Sequence, residues 1–178
     1  MNQTHDAADG PDAAGPDVAV PDATGPGAGA VVVGVDGSEG ARTALATAMR
    51  EAVLRGAPLL AVTSYEPPDR WAPEAAGLID EELIRRELLT EAETAVSGAA
   101  GEIAARGLTA PHARVVVAPG GAAEVLCRLS HGAVLLVVGH RGRGALATRL
   151  IGSVGLGVVV HATCPVLVVR PTPREVPA

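Results

Sequence analysis

The residues whose types and spacing could do chemistry cluster in the last third of this 178-residue chain. The stretch is Val138-Gly139-His140-Arg141-Gly142-Arg143, continuing to Leu150-Ile151-Gly152-Ser153-Val154. Glycines permit positive φ and let main-chain N–H groups come close to a ligand. The Gly152-Ser153 pair stands where a helix would open, and a helix N-terminus supplies free N–H donors and a partial positive charge. Together these features describe an anion site, most naturally one for phosphates. Ser153 adds a hydroxyl donor, and Arg141 and Arg143 bring charge nearby. The same composition also fits ordinary turn glycines with a serine near a helix start.

A phosphate site of this kind must be built without lysine. All 14 basic residues are arginine. A Walker P-loop needs its lysine on the phosphates, a protein kinase needs one on a strand, and Schiff-base chemistry needs an amine. Aromatic side chains are nearly absent, with one Trp, one Tyr and no Phe, so base-stacking nucleic-acid platforms are excluded. The 14 arginines against 20 acids leave a charge of −6. Five of those acids, Asp6, Asp9, Asp12, Asp17 and Asp22, lie in the leading segment, so the rest carries only −1. Neither part offers the positive field of a DNA or anionic-membrane binder. Cys127 and Cys164 make no CxxC and no paired framework, so no zinc site is indicated. No apolar run reaches the length of a membrane span. The first 30 residues lack the basic start and apolar centre of a secretion signal. The expectation is a cytoplasmic protein with no nucleic-acid or membrane partner.

The elements that position the loop follow from periodicity. Residues 1–29 hold seven Ala, five Gly, five Asp and four Pro, with the loose repeat PDAAG, PDVAV, PDATG. Such a segment has little to bury and cannot offset its ordering entropy, which predicts a disordered tail. Residues 172–178 are expected to fray. Between them, Ala30–Val35 is a continuously apolar, β-branched run that reads as a strand buried on both faces. Asp36-Gly37-Ser38-Glu39 supplies a turn and a helix cap. Ala41, Leu45, Ala48, Met49, Ala52 and Val53 then recur at helical spacing, and Gly56 ends the helix. A second strand covers Pro58–Thr63, and a proline-rich loop covers Tyr65–Gly77. A long helix spans Ile79–Arg106 with a stripe at Ile84, Leu88, Ala92, Ala95, Ala99 and Ile103. Ala113–Ala118 is a third strand, Ala122–His131 a short helix, and Ala133–Val138 a fourth strand. The glycine loop leads into a helix near Ser153, and Pro165–Arg170 is a fifth strand. This alternation predicts a doubly wound α/β sheet of parallel strands with right-handed crossovers. Ligands in such sheets bind at the carboxyl ends of the strands, which here means Asp36 and Gly139.

The spacing Gly139-x2-Gly142-x9-Gly152-Ser153 resembles the ATP-binding signature of the universal stress protein family, G-2x-G-9x-G-(S/T). The likeness extends to Val31-Val32-Val33-Gly34-Val35-Asp36-Gly37-Ser38, to Leu135-Leu136-Val137-Val138-Gly139, and to His161-Ala162-Thr163-Cys164-Pro165 with the apolar run after it. It covers about residues 30–171. The resemblance implies a five-stranded parallel sheet in the order 3-2-1-4-5, holding ATP or, in some members, AMP. It places Asp36 at the nucleoside, with Gly34 and Val35 on the same edge. It implies that the backbone of Val62 meets adenine and that Val138 and Gly139 flank the ribose. Arg141, Gly142, Gly152, Ser153 and Val154 then surround the phosphates. It also points to a homodimer through the fifth strand, an edge strand with unpaired backbone groups.

Three functions stay open from the residues. The first is an ATP-binding regulatory or stress-response module, since no base or carboxylate pair for phosphoryl transfer stands by the loop. ADP or AMP could equally be the nucleotide held, and magnesium could accompany it, with Asp36 a candidate ligand. The second is a slow ATPase or nucleotidyl-transfer enzyme. The third is a partner-binding protein with an empty pocket.

Overall fold

The computed structural model describes residues 25–142 and 151–170. Its strands are β1 (Val31–Gly34), β2 (Leu59–Tyr65), β3 (Ala113–Pro119), β4 (Leu135–Gly139) and β5 (Val166–Val169). They form one sheet in the order β3-β2-β1-β4-β5, and every pairing is parallel. The helices are α1 (Glu39–Arg55), α2 (Pro68–Trp71), α3 (Glu81–Ala105), α4 (Ala122–Leu129) and α5 (Ser153–His161). The doubly wound class read from the alternation, and the strand order that the resemblance implies, are therefore the ones observed.

Alternation along the strands divides the core in two. Val31, Val33, Leu59, Ala61, Leu135 and Val137 pack against α1 and α3. Val32, Leu60, Val62, Leu136 and Val138 pack on the other face, against Val125, Leu126 and Leu129 of α4 and Val158 of α5. Strands buried on both faces must be apolar at every position, which explains the unbroken valine and leucine runs.

α1 lies close to the sheet because its inner face is small: Gly40, Ala41, Ala44, Ala48 and Ala52 are buried beside Leu45 and Met49. Ser38 caps it by accepting a hydrogen bond from the Ala41 N–H at 3.1 Å. Gly56 ends it at φ 60°, in the left-handed region, with its N–H turned back to the Ala52 and Val53 carbonyls.

Three local expectations change. The proline-rich stretch after β2 is not an unstructured loop: Pro68 starts α2 and Pro73 starts a short 3-10 segment, Pro73–Leu78. Proline suits a first helical position, where its missing N–H costs nothing. In α3 the buried positions are Ala92, Val96 and Ile103, while Ile84 and Leu88 are half-buried. The helix begins level with the last residue of β2, where the Tyr65 hydroxyl donates to Glu81 at 2.6 Å. Leu88 lines a small cavity with Thr63, Ser64 and Ala92 at the carboxyl end of β2 instead of packing into the core. Finally, residues 25–29 belong with the domain rather than with a tail. They form a turn in which the Gly29 N–H donates to the Gly132 carbonyl at 2.9 Å. Gly27 is buried there, and a Cβ on it would overlap the Leu129 carbonyl and press on Val32. The predicted tail over 1–24 and fraying over 172–178 lie outside the described residues.

Candidate functional site

The carboxyl ends of β1 and β4 are neighbours in the sheet, and the loops leaving them diverge above it. Between these loops opens a cavity of about 300 Å³. It is lined by Gly34, Val35 and Asp36 from the end of β1, by Val62 from β2, and by Val138 and Gly139 from β4. Arg141 and Gly142 come from the loop, and Gly152, Ser153 and Val154 from the start of α5. The eleven positions that the resemblance implies as nucleotide contacts thus all line one cavity. Arg143 lies outside the described residues. Five further residues complete the lining: Ala41, Ser64, Ala122, Leu126 and Gly155. Of these, Gly155 was legible in principle, because it is the third residue of a helix whose first two had been chosen. Ala122 and Leu126 stand four apart on α4, the spacing of one helical face.

The N-terminus of α5 is the strongest source of donors. Gly152 is its N-cap, and no side chain among the described residues caps the helix. The first intrahelical bond is Leu156 N–H to the Gly152 carbonyl at 2.9 Å. The N–H groups of Ser153, Val154 and Gly155 precede it, so the helix itself gives them no acceptor. All three residues line the cavity. The Gly152 N–H donates to the His140 carbonyl at 2.8 Å, which ties the start of the loop to its return.

Asp36 is the one carboxylate among the described lining residues. Its Oδ1 accepts from the Ser38 N–H at 3.0 Å, so the turn before α1 orients the side chain. Asp36 therefore shapes the turn, while Ser38 is the helix cap. Ser38 does not line the cavity. The turn itself needs Gly37, at φ 75°.

The loop glycines work differently from the expectation. None of Gly139, Gly142 and Gly152 adopts positive φ. Their smallness matters instead. A Cβ on Gly139 would stand 2.7 Å from the carbonyl carbon of Gly40 and 2.8 Å from its oxygen. Reciprocally, a Cβ on Gly40 would overlap the Arg141 carbonyl. These two glycines let the first turn of α1 press on the loop leaving β4. A Cβ on Gly142 would stand 2.6 Å from Asp36 Oδ2. Gly152 differs: its backbone sits at φ −69°, and a Cβ there would meet nothing nearer than 3.4 Å. Neither its backbone nor its neighbours demand glycine.

Val62 is buried at 2% exposure, and its carbonyl already accepts from the Val35 N–H at 2.8 Å. The Val35 carbonyl accepts the Thr63 hydroxyl at 3.0 Å. His140 does not line the cavity, and its backbone N–H donates to the Val169 carbonyl at 2.7 Å. Burial, then the charges of Arg141 and Arg170, push the pKa of its imidazole down. Among the described residues, no three His, Cys, Asp or Glu side chains group as a metal site. No helix there is long and apolar enough to cross a membrane.

Comparison with known proteins agrees with this architecture. The universal stress protein family model matches residues 28–170. A universal stress protein of Thermus aquaticus, encoded in the 3′ region of a QAH/OAS sulfhydrylase, is 36% identical over 142 residues, covering 79% of this chain and 97% of that protein. The chain spans about half the length of the Mycobacterium tuberculosis relatives it matches. Among solved structures, a universal stress protein in complex with cAMP is 29% identical with a TM-score of 0.55, covering 81% of this chain and 98% of the other. One from Archaeoglobus fulgidus in complex with dAMP is 26% identical with a TM-score of 0.52, covering 78% and 95%. With the family model spanning nearly all the described residues and the sheet order in agreement, the chain belongs to the universal stress protein family.

Proposed function

We propose that the cavity binds an adenine nucleotide, ATP in the first instance, and that occupancy serves as a regulatory signal in a stress response. The observation that carries this reading is the convergence of the α5 N-terminal donors, Ser153 and Arg141 with Asp36 in one cavity. Backbone N–H groups at a helix start suit phosphate oxygens. The Arg141 guanidinium adds charge, and the Asp36 carboxylate offers an acceptor to the nucleoside. Val35, Val62, Val138 and Leu126 supply apolar surface for a base or sugar. Relatives solved with cAMP and dAMP support the adenine class. ADP and AMP fit the same donors with fewer phosphates.

The donor set fits magnesium only as a companion of the phosphates. One carboxylate with an oxygen already engaged makes no cage, and magnesium ordinarily keeps several waters and shares phosphate oxygens. Asp36 is the residue that would reach it. Turnover is at most weak in this reading, because neither a lysine nor a carboxylate pair is available to neutralise a transferring phosphoryl group.

The protein acts as a cytoplasmic homodimer in this proposal. β5 is a sheet edge of four half-buried apolar residues. Leu156, Val159 and Val160 of the neighbouring α5 are exposed at 57%, 52% and 63%. Pairing β5 across a two-fold axis would satisfy its backbone and extend that apolar surface.

The test is nucleotide analysis of the supernatant from heat-denatured purified protein, followed by titration of the stripped protein with ATP, ADP, AMP and GTP. The expected result is copurified adenine nucleotide, with heat of binding for ATP and none for GTP. Stripped, folded protein that takes up no adenine nucleotide would overturn the proposal.

A further inference from the structure

α4 and α5 pack side by side, and two contacts mark where they meet. A Cβ on Gly157 of α5 would stand 2.7 Å from the Ala123 Cβ of α4. Beyond the ends of both helices, Thr163 Oγ1 lies 3.2 Å from His131 Nδ1. Cys127 is four residues after Ala123, on the same stripe of α4, and four before His131. Cys164 directly follows Thr163. The two contacts therefore bracket a pair of cysteines from different elements. Both side chains are half-buried and pack against the same apolar cluster. Burial pushes the Cys127 thiol up, and proximity to Cys164 is the second cause. Nothing in the nucleotide reading uses either residue.

We propose that Cys127 and Cys164 form a reversible intramolecular disulfide when the protein meets a hydroperoxide. The chemistry balances in two steps. The thiolate of one cysteine attacks the peroxide, the O–O bond breaks, and a sulfenic acid and one water form after proton transfer. The second thiol then attacks that sulfur: the S–O bond breaks, the S–S bond forms, and a second water leaves. Two thiols are oxidised while one hydrogen peroxide is reduced to two waters. Thiol reductants reverse the bond by exchange, as expected of a transient link in a reducing compartment. The link joins α4, which lines the cavity through Ala122 and Leu126, to the turn leading into β5. It thus spans α5 without touching the α5 residues that face the cavity.

The test uses the full chain, dilute, exposed to excess hydrogen peroxide and then alkylated. The expected result is a fall of about 2 Da in intact mass, relative to reduced and unalkylated protein, with both thiols lost to the alkylating reagent. Digestion yields one linked peptide joining Cys127 and Cys164, and dithiothreitol restores both thiols. The link closes a long loop in the unfolded chain, so the oxidised protein melts several degrees higher. Cys164→Ser should lose both the linked peptide and the rise in melting temperature. Cys127→Ser should do the same; if it fails to fold, Cys127→Ala serves in its place. Sulfinic acid at either cysteine without a linked peptide, or a bond between two chains only, would overturn the proposal.

Discussion

Alanine in place of Gly139 and alanine in place of Gly152 should produce opposite phenotypes, although both glycines belong to one spacing pattern. At Gly139 the new Cβ stands 2.7 and 2.8 Å from the backbone carbon and oxygen of Gly40. Backbone cannot swing aside as a side-chain tip can, so α1 must move off the sheet. Overpacking of this kind costs about 1–3 kcal/mol. In a domain of this size that corresponds to a melting temperature lower by roughly 3–10 °C. At Gly152 the nearest atom to a new Cβ is 3.4 Å away, an ordinary contact, and φ of −69° suits alanine. The small loss from placing alanine at an N-cap is offset by the reduced entropy of the unfolded chain, so the net change is about zero. Under the proposed function the donors beside Gly152, at the start of α5, hold a phosphate. A methyl group there should displace one charge-assisted hydrogen bond, about 1.5 kcal/mol or roughly tenfold in Kd. Scanning calorimetry of nucleotide-free protein measures the first effect, and titration calorimetry with ATP the second. If Gly152→Ala melts as far below wild type as Gly139→Ala while binding ATP normally, the division of labour argued here is wrong.

Three shorter predictions test other parts of the structure. The phenol of Tyr65, the single tyrosine, is pushed up to about 12 by its hydrogen bond to Glu81 and then by burial. Its tyrosinate absorbance should therefore titrate near that value, and Glu81→Gln should bring the midpoint back toward 10. Because the folded value lies above the unfolded one, this bond contributes in full below pH 10 and is lost as pH rises toward 12. Removing residues 1–29 should lower the melting temperature by roughly 3–8 °C relative to removing 1–24, since the turn at 25–29 carries the Gly29–Gly132 bond and covers Val32; equal melting of the two truncations would refute the docked turn. Val168→Glu should reduce the proposed dimer to a monomer by light scattering and leave ATP affinity within twofold, because Val168 is on β5 and does not line the cavity.

Much of this architecture was legible because burial on both faces leaves a simple trace. Val31, Val32 and Val33 could only be a central strand, and helical spacing with a closing glycine defined α1 through Gly56. The cavity was legible because the parallel sheet brings the ends of β1 and β4 together whatever the intervening sequence. The misses share a different origin. Pro67, Pro68 and Pro73 read as breakers, yet Pro68 and Pro73 begin short helical turns. Ile84 and Leu88 have correct helical spacing, but spacing does not say how far a sheet extends beneath a helix. Gly27 sits in a stretch of tail-like composition, and only the corner at Leu129 and Gly132 makes it part of the domain. Gly40 went unremarked because its constraint is a backbone 100 residues away in sequence, which no local pattern encodes.

That last contact explains why glycines recur at these intervals. Gly139 is small for α1 and Gly142 for Asp36, whereas a Cβ on Gly152 would make only ordinary contacts with His140 and Arg141. Two partners thus constrain one loop. The consequence is mechanical. The first turn of α1 rests on the Arg141 backbone through Gly40, and the turn just before it holds the Asp36 carboxylate through the Ser38 N–H. Asp36 in turn faces Gly142. A ligand that draws the Arg141–Gly142 segment toward its phosphates must therefore move, or be resisted by, the same turn that presents Asp36. The Asp36 side and the α5 side of the cavity are thus joined through close backbone packing. Packed backbone does not deform continuously, so occupancy at one side should be felt at the other, as the proposed regulatory use of the nucleotide requires.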